Sequence, residues 1–345
     1  MKAACKVDRK KGIIVKDVPV PEIGEEDVLV KVKKAAVCGT DIHLYNWNQW
    51  CENVNAKNPM VIGHEFCGEV VEVGRNVKGL EKGEMVAAET HIPCGICFLC
   101  KTGRQHICLN MKIVGVHTDG AFAEYAKIPA VCAWKLDKNI DPEIGAIYEP
   151  FGIGVHALSK TKISGKTVVV TGCGPIGLFT INLASMSGAK TIYALDLNEY
   201  RLNLATKMGN NIVPINPSNT NGSEKILKET SGIGVDVVVE LSGAVPATKL
   251  GFEVLKKGGA IMLVGLHDND VSVDFVNNVI YKEAIIYGIT GREMFDSWYD
   301  ADDLILSDKS KVSEVITDRF SLEDTEKAIL TAAEGNCGKV IIDIG

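Results

Sequence analysis

The sequence predicts an α/β protein in which a doubly wound parallel sheet is inserted into a discontinuous, mainly β outer domain. Three observations predict it. A glycine-rich turn, Gly172-Cys173-Gly174-Pro175-Ile176-Gly177, follows the apolar run 167–171 and opens a stretch of helical length. From there to about residue 290, short β-branched runs alternate with helical segments, the pattern of parallel strands joined by crossover helices. The earlier part of the chain instead carries short alternating runs broken by Pro, Gly and Cys, and the last stretch returns to it with a helix and an apolar strand. The expected domains are 1–155 together with 291–345, and 156–290.

In chain order, Val28, Val30 and Val32 alternate with Lys31 and Lys33, a half-buried strand. Residues 68–73 and 86–88 read as further short strands, and 91–120 as a lobe with little regular structure. Residues 167–171 form a buried strand, and 175–187 a helix with proline in its first turn. Strand 191–195 and helix 198–208 follow, the helix ended by Gly209. Strands are expected at 212–215, 235–239 and 260–264, helices near 224–230 and 246–255, and a closing strand at 285–289. The tail reads as helix 294–307, helix 322–334 capped by Ser321, and strand 339–343.

The 345 residues suit about two domains. Hydrophobic residues make up 46% and charged residues 23%, enough to bury two ordinary cores, which excludes disorder as the main state. Lys plus Arg is 37 against 44 Asp plus Glu, a formal charge of -7 that disfavours nucleic acid as a partner. No apolar run reaches the ~20 residues that span a bilayer, and Met1-Lys2-Ala3-Ala4-Cys5-Lys6 lacks the apolar core of a signal peptide. Eleven cysteines, an odd number, indicate thiols or thiolate ligands in a reducing, cytoplasmic setting and not a disulfide framework.

The glycine turn carries chemistry. Gly172 allows the turn, Gly174 lets backbone approach a pyrophosphate, and Gly177 lets helix pack on strand; the helix N-terminus supplies N–H groups for phosphates. Asp196 ends the next strand, where a carboxylate can accept adenosine ribose hydroxyls and repel a 2′-phosphate. The alternative is a structural turn with Asp196 capping the next helix. Arg201 lies against the adenine or is a solvated helix residue.

Cys94-x2-Cys97-x2-Cys100-x7-Cys108 offers four soft ligands, which suit a closed, structural zinc site. An iron–sulfur cluster is the competing metal, although its bacterial spacing places the fourth Cys after three residues and before Pro. His91 and His106 read as loop histidines flanking this lobe. Cys38, His64 and Glu65 supply S, N and O donors, a mixture suited to a catalytic zinc with a labile position. Such a zinc acidifies a bound alcohol, which can then release hydride to a nicotinamide. Trp47 and Trp50 either line a substrate pocket or pack. Cys67 and Cys173 read as small packing residues.

Gly63-His64-Glu65-x2-Gly68-x5-Gly74-x2-Val77, the four-cysteine lobe and the glycine turn, in this order, resemble the zinc-containing alcohol dehydrogenases of the medium-chain dehydrogenase/reductase family over the whole chain. The resemblance implies a GroES-like, mainly β catalytic domain plus a Rossmann domain. Residues 38–47, 149–152, 198–202 and 291–295 are most similar to the members that oxidise L-threonine. The expectation is therefore zinc-dependent oxidation of L-threonine to 2-amino-3-oxobutanoate with hydride transfer to NAD, two zincs per chain, and a homotetramer. Alternatives are a butanediol or sorbitol-type polyol dehydrogenase and, outside enzymes, a zinc-binding regulatory protein.

The resemblance also implies residue roles. Cys38, His64 and Glu65 match the catalytic zinc ligands. Thr40 and His43 match a proton relay, with Asp41 fixing the His64 tautomer. Glu149 matches an acidic residue near zinc that is important for catalysis, and is the candidate for the substrate ammonium. Ile176, Asp196, Arg201, Val264, Gly265, Leu266, Ile289 and Thr290 match cofactor contacts. Arg292 is expected to bind either the substrate carboxylate or a cofactor phosphate. Glu149 stands where some relatives carry Asp, and Thr290 where some carry Tyr.

Overall fold

The computed structural model describes residues 1–345, which divide into two compact units: 1–150 with 292–302 and 316–345, and 151–291 with 303–315.

The first unit is built on a seven-stranded, mostly antiparallel sheet. Its path runs Ala133–Lys135, Met85–Ala88, Glu65–Val73, Asp27–Ala36, Lys339–Asp343, Ile316–Ser321, with Tyr125–Pro129 also pairing to Asp27–Ala36. The expected alternation is present: Val28, Val30 and Val32 are buried while Lys31 is exposed. They share a core with Ile62, Phe66, Val70, Val86, Phe122, Ile128 and Ile342. The lobe 91–120 contains only a two-residue strand pair, the helix Phe98–Lys101 and a single 3₁₀ turn.

The second unit is a six-stranded, wholly parallel sheet. Its order is Ile212–Ile215, Thr191–Leu195, Thr167–Thr171, Val235–Glu240, Leu255–Leu263, Ile285–Gly288. In chain order this is 3-2-1-4-5-6, the doubly wound arrangement in which ligands bind beyond the carboxyl ends of the two central strands, where the winding reverses. Both central strands are buried on both faces, which explains their unbroken valine runs.

Several local expectations change. Ser321 does not cap the last helix: its hydroxyl donates to Asp324 Oδ2, residues 322–324 form a 3₁₀ turn, and the α-helix runs Thr325–Glu334 behind Asp324. The helix expected over 294–307 spans Asp296–Ile305, and Val264 lies just past its strand. Helices Gly39–Asn46 and Tyr148–Ser159 have no counterpart in the sequence reading. Pro150 and two glycines mask the second of them, and tertiary burial overrides their low helix propensity.

Candidate active site

The metal candidates lie in the first unit. Cys38 lies two residues past the strand Asp27–Ala36 and is the N-cap of helix Gly39–Asn46. Its backbone N–H donates to Asp41 Oδ2 at 2.9 Å, one half of a capping box. Glu65 starts the neighbouring strand, with His64 immediately before it, and is paired so that it faces Ala36. This register brings one donor atom each from Cys38, His64 and Glu65 within 4.8 Å of one another. His64 Nδ1 and Glu65 Oε1 are buried without a hydrogen-bond partner. Leaving such groups unmet is costly, so the donor set fits a cation. Burial works against charge on His64, yet the Cys38 sulfur and the Asp41 carboxylate push it up to about 10. Burial pushes Glu65 up to about 7 against the pull of Lys339, which is itself buried and ion-paired to Glu65. Asp41 Oδ1 stands 4.0 Å from His64 Nδ1, beyond hydrogen-bond reach, so this geometry does not show it fixing the tautomer.

Thr40 sits beside the metal candidates, its Oγ1 3.7 Å from Cys38 Sγ. His43 lies one turn further along the same helix, stacked on Trp50 at 5.4 Å and touching the Asn48 amide through Nδ1 at 2.6 Å. Trp47 is held by Glu52 and by the cations of Lys6 and Arg9 over its ring.

The expectations for Arg292 do not survive. Arg292 is 1% exposed, and its guanidinium is held within the protein. Nε and Nη2 grip the two oxygens of Glu89, Nη1 donates to Glu149 Oε1 at 2.6 Å, and Nη2 reaches Thr90 Oγ1 at 3.2 Å. Trp298 Nε1 and the His91 N–H, both at 2.9 Å, complete the ring of donors around Glu89. Four of its five N–H donors are thus spent inside the protein, which leaves no paired fork for a substrate carboxylate or a phosphate. Burial would lower the Arg292 pKa, but Glu149 and Glu89 hold it above its ordinary value. In return, although burial pushes Glu149 up, Arg292 and then His64 hold its carboxyl below the usual range. Glu149 Oε1 also accepts from the Thr90 hydroxyl at 3.1 Å, which leaves Oε2 for other partners. Burial and the neighbouring Arg292 hold His91 down to about 4, so it is neutral.

Cys94, Cys97, Cys100 and Cys108 bring their four sulfurs within 4.8 Å of one another. Backbone N–H groups point at the sulfurs: Cys94 N to Cys108 at 3.2 Å, Asn110 N to Cys108 at 3.3 Å, and Cys97 N to Cys94 at 3.4 Å. The N–H groups of Ile96 and Cys97 bring Cys94 down to about 6, while burial pushes Cys100 up to about 12. A zinc shared by all four sulfurs offsets that cost.

In the second unit, the glycine turn is as tight as expected. Gly172 has φ +88°, and a Cβ there would meet Ser242 N at 2.9 Å. A Cβ on Gly177 would sit 1.9 Å from Gly172 O, whereas one on Gly174 would meet only Arg201 Nη1, at 3.9 Å, so backbone there is open to close approach. Asp196 accepts from Cys173 N at 2.7 Å and Asn198 N at 2.8 Å, one bond per oxygen, which leaves each a second lone pair. Arg201 lies beside the turn, its Nε buried without a partner, so it is not simply a solvated helix residue. Ile176 lies in the first turn of the helix, Val264, Gly265 and Leu266 follow the fifth strand, and Leu266 is 81% exposed. Ile289 is buried and Thr290 exposed. Cys67 and Cys173 are buried thiols, that of Cys67 pushed up to about 12 by burial, which makes packing residues of them.

The sequence reading missed Lys339, Glu89, Thr90, Trp298 and Glu240. The available signal was a charged residue inside or ending an apolar strand, as in Lys339-Val340-Ile341-Ile342 and Val237-Val238-Val239-Glu240.

Two family models match: the alcohol dehydrogenase GroES-like domain over residues 24–138 and the zinc-binding dehydrogenase over 175–307. The chain is 45% identical over 343 residues to L-threonine 3-dehydrogenase of Caldanaerobacter subterraneus subsp. tengcongensis, covering 99% of this chain and 98% of that one. A zinc-binding dehydrogenase from Sinorhizobium meliloti solved with NADP superposes with a TM-score of 0.91 at 31% identity, covering 99% and 98%. The 2R,3R-butanediol dehydrogenase of Bacillus subtilis gives 0.89 at 27%, covering 99% of each. No helix is long and apolar enough to cross a membrane. With a GroES-like domain, a zinc-binding dehydrogenase domain and relatives matched end to end, the chain belongs to the zinc-containing medium-chain alcohol dehydrogenase family.

Proposed function

We propose that this enzyme oxidises L-threonine at its secondary hydroxyl to 2-amino-3-oxobutanoate, with NAD as hydride acceptor. The observation that carries the reading is the 45% identity, over 99% of the chain, with an L-threonine 3-dehydrogenase, against 27% with a butanediol dehydrogenase of the same fold. The family match over both parts of the chain also sets aside a zinc-binding regulatory protein.

Cys38, His64 and Glu65 hold the catalytic zinc, and Cys94, Cys97, Cys100 and Cys108 the structural one. When bound, the catalytic zinc supplies Lewis acidity that lowers the pKa of a substrate hydroxyl, and NAD accepts the hydride. Thr40 takes part in passing the hydroxyl proton to His43, which delivers it to solvent. Glu149, with Oε1 held by Arg292 and Thr90, turns Oε2 toward the substrate ammonium. Gly172, Gly174, Ile176, Gly177, Asp196, Arg201, Val264, Gly265, Leu266, Ile289 and Thr290 form the cofactor cradle. The free lone pairs of Asp196 receive the ribose hydroxyls and select NAD over NADP.

A cytoplasmic location suits eleven cysteines with no disulfide among them. A homotetramer suits the family resemblance and the open edge strand Ile285–Gly288, on which Ile285 and Ile286 are exposed.

The test is kcat/KM, read from NADH absorbance, for L-threonine, 2,3-butanediol and sorbitol with NAD and with NADP. Threonine with NAD should lead. A preference for butanediol overturns the substrate, and equal use of NADP overturns the role of Asp196.

A further inference from the structure

Glu240 ends the fourth strand of the second unit, is fully buried, and has no basic residue paired to it at hydrogen-bond distance. Its carboxylate is met by donors from the end of the first strand and from the loop after its own. Oε1 accepts from Ser242 N at 2.9 Å, Ser242 Oγ at 2.5 Å, Gly243 N at 3.1 Å and Thr171 Oγ1 at 3.3 Å. Its backbone carbonyl takes the N–H groups of Val264 and Gly265, at 2.9 and 3.0 Å. One residue thus binds the ends of three strands: Thr171 before the glycine turn, 242–243 after its own strand, and 264–265 after the fifth.

The loops it gathers touch so closely that side chains are excluded. A Cβ on Gly172 would meet Ser242 N at 2.9 Å. One on Gly243 would meet Leu266 O at 2.2 Å, and one on Gly265 would meet Gly243 N at 2.2 Å and Glu240 Oε2 at 2.8 Å. The contact also continues into the next helix, because Ser242 Oγ accepts from the N–H of Ala244, the N-cap of Val245–Val254. An acid placed near a phosphate site would repel the ligand if its charge were bare. Here four donors take up the charge, and the backbone they belong to forms the turn and the loops.

We infer that Glu240 is the positioning residue of the dinucleotide cradle, holding the glycine turn and the 242–243 and 264–266 loops in the conformation that receives NAD. The inference rests on the cofactor reading above and extends it to a residue outside the expected contact set. Glu240 acts through Thr171, Ser242, Gly243 and Gly265.

The experiment measures NADH affinity by fluorescence titration of the zinc-loaded enzyme, well below the melting temperature of every variant, together with KM for NAD, kcat at saturating NAD and zinc content. Removing a buried acceptor strands several donors, so Glu240→Ala should weaken NADH binding about tenfold. KM for NAD should rise in step while saturated kcat and zinc stay near those of the unaltered enzyme. Glu240→Gln should recover affinity to within about threefold, since its amide oxygen can accept from the same donors. Glu240→Asp keeps the charge but withdraws it by one methylene, and should bind more weakly than Gln; this pair also decides the matter if the Ala variant does not fold. A purely structural role would lower the melting temperature with NADH affinity unmoved, and that result overturns the inference, as does an Asp variant binding like the unaltered protein. If the unaltered protein does not bind NADH, the cofactor reading falls first and takes this inference with it. Normal binding with an unaffected Ala variant overturns the inference alone.

Discussion

Replacing Arg292 with Met should destabilise the first unit by about 4 kcal/mol. The side chain is almost the same size, so little cavity forms, and the cost comes from charge. Glu89 is 0% and Glu149 7% exposed. Glu89 would keep the Trp298 indole and the His91 N–H, but Glu149 would keep only the Thr90 hydroxyl. Removing one partner of a buried pair typically costs about 3–5 kcal/mol, because the remaining charge is uncompensated. In a unit of this size each kcal/mol moves the melting point by roughly 2–4 °C, so a fall of about 8–16 °C is expected. The assay is urea unfolding at fixed zinc, followed by tryptophan fluorescence; Trp134 and Trp298 lie 5.7 Å apart and report on the same region. Glu149→Gln in the Arg292→Met background should recover part of the loss, since it removes one stranded charge. Arg292→Lys should fall between, because an ammonium keeps the charge and loses the fork that grips both Glu89 oxygens. An Arg292→Met variant within about 1 kcal/mol of the unaltered protein would refute the reasoning, and so would simple additivity of the Arg292 and Glu149 changes.

His43→Ala should lower kcat by about 100- to 10,000-fold with both zincs retained, measured by steady-state kinetics and metal analysis; loss of a zinc would make His43 a ligand. Cys38→Ser should remove or weaken one zinc and abolish turnover in a folded protein, whereas Cys100→Ser should lower thermal stability, because closed thiolate sites contribute folding energy. Iron, or a single zinc per chain, in the fully loaded enzyme would contradict both. Asp236 is held below its ordinary value: burial opposes ionisation, but Lys256 at 2.5 Å, the Thr167 N–H at 2.9 Å and Lys166 at 3.2 Å outweigh it. A depressed native pKa stabilises above the unfolded value of about 3.9 and loses that contribution as pH falls through the native one. Asp236→Asn should therefore cost about 2 kcal/mol at pH 6, and the gap in urea midpoint should close in acid; a gap unchanged at about pH 3 would count against the assignment.

Much of the site was legible because its chemistry is local. Four cysteines within fifteen residues can serve one metal whatever surrounds them, and the glycine turn announces itself through the strand before it and Pro175 after it. Cys38, His64 and Glu65 were recognisable as a donor set, although it took the antiparallel register of two strands to bring them within 4.8 Å. Arg292 shows where local reading ends. Its residue type suited a carboxylate or a phosphate equally well, and only the fold supplied Glu89 and Glu149, 203 and 143 positions away, to occupy the guanidinium fork. Lys339 and Glu240 were invisible for the same reason: a charge at a strand terminus reads as solvated until packing removes the water and names the partner. Sequence carries the identity and spacing of reactive groups. Burial, and therefore which charges must be paired and which remain to meet a ligand, is a property of elements distant along the chain, and tertiary packing alone decides it.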